Sequence, residues 1–270
     1  MASEVSAPPV VLVHGLWLTP RSWEGWVERC ENRGHRVLAP AWPRMPGEVE
    51  DVRRDPSPLN GLGLAEIVAH YEGIVRGLDR PPVLIGHSFG GLVAELLLDR
   101  GLGAAGVAIS PAPVKGVLRL PPAMLRATFP VLRSPANRSR ADAEAVPVQL
   151  HEHDGPGRSH GGLRALPRAG PGPDDLPSGR CQLQPRAANK IDVDNGDRPP
   201  LLVIGSDQDH TVPASVSKET ATRLGKSKAV VDYQRFAGRP HFAGAPGWEA
   251  VAEYALDWAD RHTGATAPSV

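Results

Sequence analysis

The chain has 270 residues and carries 30 basic and 30 acidic side chains, so its formal net charge is zero. A balanced charge gives no general attraction to nucleic acid or to an anionic membrane surface, and we expect neither as a partner. The two cysteines, Cys30 and Cys181, lie too far apart for a disulfide framework. The N-terminus lacks the basic start and apolar run of a secretory signal, which predicts a cytoplasmic protein.

Short apolar runs alternate along the chain with segments of helical periodicity. Runs of this kind bounded by Pro and Gly are typical of buried strands, and a strand–helix alternation predicts a mainly parallel sheet with helices on both faces. The predicted fold class is therefore α/β. Predicted strands cover residues 10–13, 36–39, 83–86, 105–109, 201–204 and 230–236, and predicted helices cover residues 23–30, 64–78, 89–98, 214–224 and 248–258.

A Gly-His-Ser-Phe-Gly segment lies between the third predicted strand and the helix that follows it. Gly86, Ser88 and Gly90 fit the G-x-S-x-G pattern, in which a sharp strand-to-helix turn exposes the serine hydroxyl. The two glycines are needed because side chains two positions either side of the serine would clash. We therefore predict that Ser88 is a nucleophile and that Gly86 and Gly90 form its turn.

A serine hydroxyl needs an imidazole to accept its proton, and that imidazole needs a carboxylate to orient it. His241 follows the last predicted strand through a Gly-Arg-Pro turn, and Asp209 follows the strand before it. The order Ser, Asp, His is the one expected for this chemistry. Asp207 is the alternative acid; we favour Asp209 because it lies three positions before the Val-Pro start of a helix.

Two backbone N–H groups are candidates for binding a negatively charged oxygen. Phe89 directly follows the predicted nucleophile, and Leu16 follows the first strand in the segment His14-Gly15-Leu16. His14 itself is interpreted as a buried histidine that orders this loop. The roles of Trp17 and Trp42, near the predicted pocket, are left open.

These motifs, together with the closing segment 247–255, resemble the α/β-hydrolase superfamily, and within it the cofactor-independent branch of small esterases and non-haem haloperoxidase-like enzymes. The resemblance covers residues 1–130 and 190–262. It implies a Ser88–His241–Asp209 triad with Leu16 and Phe89 as oxyanion donors, and neither cofactor nor metal. The implied activity is hydrolysis of small carboxylic esters. Perhydrolysis on the same triad is one alternative, and a non-catalytic binding protein on this fold is another.

The segment where such proteins carry a cap is unusual. We divide the chain into core residues 1–114 and 199–270 and a cap insertion at 115–198, part of which we expect to be disordered. Residues 146–185 contain seven glycines and seven prolines, a composition that buries too little apolar surface to offset the entropy of folding.

Two interpretations of this segment are open. Either the segment is a flexible lid, or residues 146–186 are translated from a shifted reading frame. A metal site at residues 151–154 is disfavoured because adjacent ligands lack a scaffold.

Overall fold

The computed structural model describes residues 7–16, 18–45, 49–117 and 188–264. A six-stranded, all-parallel sheet forms its centre, with strand order β2-β1-β3-β4-β5-β6. The strands are β1 (Val10–Val13), β2 (Val37–Leu38), β3 (Val83–His87), β4 (Ala105–Ile109), β5 (Leu201–Ser206) and β6 (Val231–Phe236). The α-helices are α1 (Glu24–Asn32), α2 (Val49–Arg54), α3 (Leu64–Arg76), α4 (Phe89–Asp99), α5 (Ala214–Leu224) and α6 (Trp248–Thr263).

The four central strands are buried along their whole length. Both faces of the sheet are covered, which explains why these strands are continuous apolar runs and not alternating ones. Residues of α3, α4 and α5 form one apolar cluster, and residues of α1 and α6 form the other. The predicted α/β fold class, with a parallel sheet between two helical layers, is confirmed.

Several predicted bounds are wrong, including the ends of the central strands β3 and β5, which extend to His87 and Ser206. β2 is only two residues long where the sequence predicted four, and α6 continues to Thr263, where the left-handed residue Gly264 ends it. Helix α2 was not predicted, because Val49 and Val52 are its only buried residues and give too little periodicity to recognise. None of the described helices is long and apolar enough to cross a membrane.

Residues 188–198, the last part of the predicted insertion, lead the chain into β5 along the end of α4. The Arg198 side chain is fully buried and its guanidinium lies 2.9 Å from the Asp99 carboxylate. Asn195 donates to the same carboxylate at 3.2 Å, and the backbone N–H of Asp192 does so at 3.0 Å. This loop therefore packs on the core beside α4. The cap composition, the reading-frame hypothesis, residues 151–154, Cys181 and Trp17 lie outside the described residues.

Candidate active site

Ser88 occupies a strained turn between β3 and α4. Its backbone has φ +55° and ψ −118°, a region that residues other than glycine rarely adopt. Four backbone hydrogen bonds hold the turn: the Ser88 N–H donates to Ile109 at 2.9 Å, and the Ser88 carbonyl accepts from Gly91, Leu92 and Ala112 at 2.9–3.2 Å. Strain that is over-determined in this way is characteristic of functional positions.

The glycines on either side of Ser88 allow the backbone segments around the turn to touch. A Cβ atom at Gly86 would lie 2.1 Å from the carbonyl oxygen of Gly90. A Cβ atom at Gly90 would lie 2.1 Å from the carbonyl oxygen of Val13. Both obstacles are backbone, so no side-chain movement can relieve them. The turn at Ser88 requires glycine at both positions for the steric reason expected from the sequence.

Asp209 and His241 are brought together by the loops that follow β5 and β6. The Nδ1 atom of His241 lies 2.7 Å from Oδ2 of Asp209. The other carboxylate oxygen, Oδ1, accepts the backbone N–H groups of Thr211 and Val212 at 2.8 and 2.7 Å. Because a carboxylate oxygen accepts, the Nδ1 atom carries the hydrogen, and Nε2 of His241 is left as the basic nitrogen of the neutral ring.

The Asp209 carboxylate is kept ionised by its partners. Its side chain is completely buried, and burial alone would raise its pKa. The charge and hydrogen bond of His241 and the backbone N–H of Val212 outweigh burial, and hold the pKa of Asp209 below its usual range. A buried carboxylate that stays charged can stabilise a protonated imidazole.

The alternative acid, Asp207, is engaged elsewhere. Arg235 of β6 lies 2.6 Å from it through Nε and 3.1 Å through Nη2. Of the two aspartates that the sequence offered, only Asp209 contacts His241 within the described residues.

The loop after β1 packs directly against Ser88. A Cβ atom at Gly15 would lie 3.2 Å from Cβ of Ser88. In the described part of the chain, the backbone N–H groups of Leu16 and Phe89 donate to no backbone carbonyl. Neither of these two predicted oxyanion donors is therefore used by a backbone hydrogen bond.

His14 lies in the same loop. It is buried and donates through Nδ1 to the Gly15 carbonyl at 3.0 Å, and burial lowers its pKa to about 4. His14 is thus the buried loop histidine that the sequence predicted.

Trp42 belongs to the same region. Its indole stacks on the His14 ring at a centroid distance of 5.0 Å and contacts the Phe89 ring at 5.4 Å. With 4% of its surface exposed, Trp42 supports the loop after β1 from within the core.

One residue of this site, His87, was not predicted from the sequence. Its Nε2 atom lies 2.8 Å from the backbone carbonyl oxygen of His241, and its ring is packed against the His241 ring. The only local signal was an ionisable side chain at the variable position before Ser88. The contact joins residues 154 positions apart, so periodicity along the chain could not have predicted it.

Residues 10–257 match the model of the Alpha/beta hydrolase family. The protein belongs to this family. No curated protein matches the chain in sequence.

Many solved structures share this fold, and the three described here are 16–22% identical to the chain. A monoacylglycerol lipase from Paleococcus ferrophilus is 22% identical with a TM-score of 0.60, covering 95% of this chain and 96% of that one. A pyrethroid hydrolase from Sphingobium faniae is 16% identical with a TM-score of 0.57, covering 94% and 97%. A candidate non-heme bromoperoxidase from Mycobacterium tuberculosis is 19% identical with a TM-score of 0.59, covering 95% and 93%. At these identities the likeness establishes the fold.

Proposed function

We propose that the protein is a serine hydrolase that cleaves small carboxylic esters. The observation that carries the proposal is the 2.7 Å contact between His241 Nδ1 and the buried carboxylate of Asp209, on a loop that also contacts the residue preceding Ser88. This contact leaves Nε2 of His241 as the base for the Ser88 hydroxyl. The strained backbone of Ser88 supports the same role for the serine.

In the proposed reaction, Ser88 Oγ attacks the ester carbonyl carbon while its proton passes to Nε2 of His241. The N–H groups of Leu16 and Phe89 bind the negatively charged oxygen of the tetrahedral intermediate. The carbon–oxygen bond then breaks, and the alcohol leaves with the proton from His241. A water molecule attacks the resulting Ser88 ester with the same assistance, and the carboxylic acid is released.

The structural neighbours named as a lipase and as a pyrethroid hydrolase are in keeping with a hydrolase. The alternative on the same residues is perhydrolysis, in which hydrogen peroxide replaces water in the attack on the Ser88 ester. The reaction as written uses no cofactor or metal. A cytoplasmic location, expected from the sequence, belongs to the same proposal.

The test is hydrolysis of p-nitrophenyl esters from acetate to octanoate by the wild type, Ser88→Ala and Ser217→Ala. Ser217 is a buried serine of α5 and serves as the matched control. We expect Ser88→Ala to fall to the background rate while Ser217→Ala stays near the wild type. Equal rates for the wild type and Ser88→Ala would overturn the proposal. A folded wild type that neither hydrolyses the esters nor reacts at Ser88 with a fluorophosphonate would favour a binding protein.

A further inference from the structure

His87, the last residue of β3, joins the Ser88 turn to the loop that carries His241. Only 3% of its surface is exposed, and its Nε2 atom lies 2.8 Å from the carbonyl oxygen of His241. A carbonyl oxygen can only accept a hydrogen bond, so the hydrogen is on Nε2 of His87. The imidazole of His87 therefore donates to the backbone of the residue proposed as the base.

The surroundings of His87 keep its ring neutral. Burial, followed by the proximity of His241, lowers the pKa of His87 to about 3. The two rings lie 4.7 Å apart between centroids, a separation at which two positive charges would repel strongly. Because His87 stays uncharged, protonation of His241 during a reaction meets no opposing charge from this neighbour.

The ring of His87 is also confined on its other side. A Cβ atom at Gly15 would lie 3.2 Å from Nδ1 of His87, so the backbone of Gly15 leaves this ring little room to move. In the described part of the chain, Nδ1 has no hydrogen-bond partner. Nε2 of His87 thus donates to the His241 carbonyl, and the ring lies between that carbonyl and the loop after β1.

The His241 loop has two further attachments to the core. The N–H of Gln208 donates to the carbonyl of Arg239 at 2.9 Å, and the indole N–H of Trp26 donates to the carbonyl of Ala243 at 3.0 Å. These two bonds hold positions on either side of His241. The contact from His87 is the backbone hydrogen bond accepted by His241 itself, while Asp209 holds its side chain.

We propose that His87 is a positioning residue, which fixes the backbone of His241 through a neutral Nε2–H donor so that the His241 ring faces Ser88. This inference rests on the proposed hydrolase function. A base displaced by about 1 Å can cost about 100-fold in rate. Loss of the donor should therefore lower kcat and leave KM nearly unchanged.

The test compares His87→Gln with His87→Asn. Both introduce a neutral amide into the same buried space, but only the longer glutamine side chain carries its NH₂ group to the position of Nε2. We expect His87→Gln to retain kcat within about threefold of the wild type, and His87→Asn to lose about 10- to 100-fold in kcat, with similar KM values. Equal kcat values for the two folded variants would overturn the proposal.

A second measurement needs no variant and no enzyme activity. Long-range ¹H–¹⁵N NMR of the wild-type histidine rings reports which nitrogen carries the hydrogen. We expect His87 to be the Nε2–H form from pH 5 to 9. A ring protonated on Nδ1, or one that titrates within this range, would overturn the proposal even if the variants fail to fold. Ester hydrolysis that is independent of Ser88 would instead contradict the proposed function and leave this NMR result standing.

Discussion

Asp207 and Arg235 form a two-point ion pair where β5 and β6 end, with Arg235 Nε 2.6 Å and Nη2 3.1 Å from the two carboxylate oxygens. This ion pair explains why Asp207 and Asp209, which are separated by a single residue, have different partners. Asp207 is held by the neighbouring strand, whereas Asp209 is buried and bonded to His241.

The two aspartates offer a matched pair of substitutions. Asp209→Asn should lower kcat by about 10⁴, because the amide can no longer hold the correct tautomer of His241 or stabilise its cation. Asp207→Asn should change kcat less than threefold, since it breaks only a partly exposed ion pair. Steady-state kinetics on a p-nitrophenyl ester distinguishes them. A larger loss in Asp207→Asn than in Asp209→Asn would contradict the assignment of Asp209.

The Ser88 turn should not tolerate a methyl group at Gly90. Gly90→Ala forces the backbone of β1 to move, and we expect a loss of about 3 kcal/mol in the free energy of unfolding, or no folded protein at all. Gly73→Ala is the control, because a Cβ atom there meets nothing within 4 Å. Alanine within helix α3 should stabilise the protein by about 0.5–1 kcal/mol. Urea denaturation measures both, and equal stabilities would refute the steric argument.

Glu95 should make the stability fall with rising pH. This side chain of α4 is fully buried and, among the described residues, both of its carboxylate oxygens lack a hydrogen-bond partner. Burial raises the pKa of Glu95 well above its usual range, although the charge of Arg198 opposes the shift. The folded state therefore binds this proton more tightly than the unfolded state does. Stability is complete below the unfolded pKa of about 4.3, and it is lost as the pH rises towards the folded value.

Glu95→Gln removes this ionisation and keeps the shape of the side chain. At pH 4.5 the variant and the wild type should unfold with similar free energies. At pH 8 the variant should be more stable by about 1 kcal/mol or more, since one unit of pKa difference corresponds to about 1.4 kcal/mol. Glu28→Gln, on the exposed side of α1, is the control and should follow the wild type. A difference that stays constant from pH 4.5 to 8 would contradict this prediction.

The ion pair between Asp99 and Arg198 should be important for stability because the arginine is fully buried. Asp99→Ala leaves that guanidinium without its carboxylate, and we expect a loss of about 3–5 kcal/mol in the free energy of unfolding. Glu24→Ala removes the acidic partner of the exposed Arg21 and should cost less than about 1 kcal/mol. Thermal and urea denaturation provide the measurement. Equal losses would show that residues 190–198 do not depend on Asp99.

The sequence predicted all six strands, with bounds of uneven accuracy. The bounds of β1, β4 and α5 agree with the prediction at both ends, because apolar runs and helical periodicity directly reflect burial. β2, whose two residues are only half buried, is shorter than predicted, and β5, although buried throughout, extends two residues beyond its predicted end. The short-range signal of a pattern weakens when few of its side chains face the core.

The residues of the candidate site also differ in how far the sequence predicts them. Ser88 and its glycines follow from a local motif, because the turn imposes its own steric demands. The partners of each side chain depend on the tertiary fold. The pairing of Asp207 with Arg235 requires β5 and β6 to be in register, and the donation from His87 to His241 requires the loop after β6 to reach the end of β3. No pattern within a single segment carries that information.

The backbone strain at Ser88 sets stability and reactivity against each other. A non-glycine residue held in such a conformation costs about 1–3 kcal/mol, and glycine would adopt φ +55° without that cost. Replacement of Ser88 by glycine should therefore raise the melting temperature while it removes the proposed nucleophile. A laboratory population selected only for heat resistance would tend to discard this serine. Keeping it requires continuous selection on the chemistry that it performs.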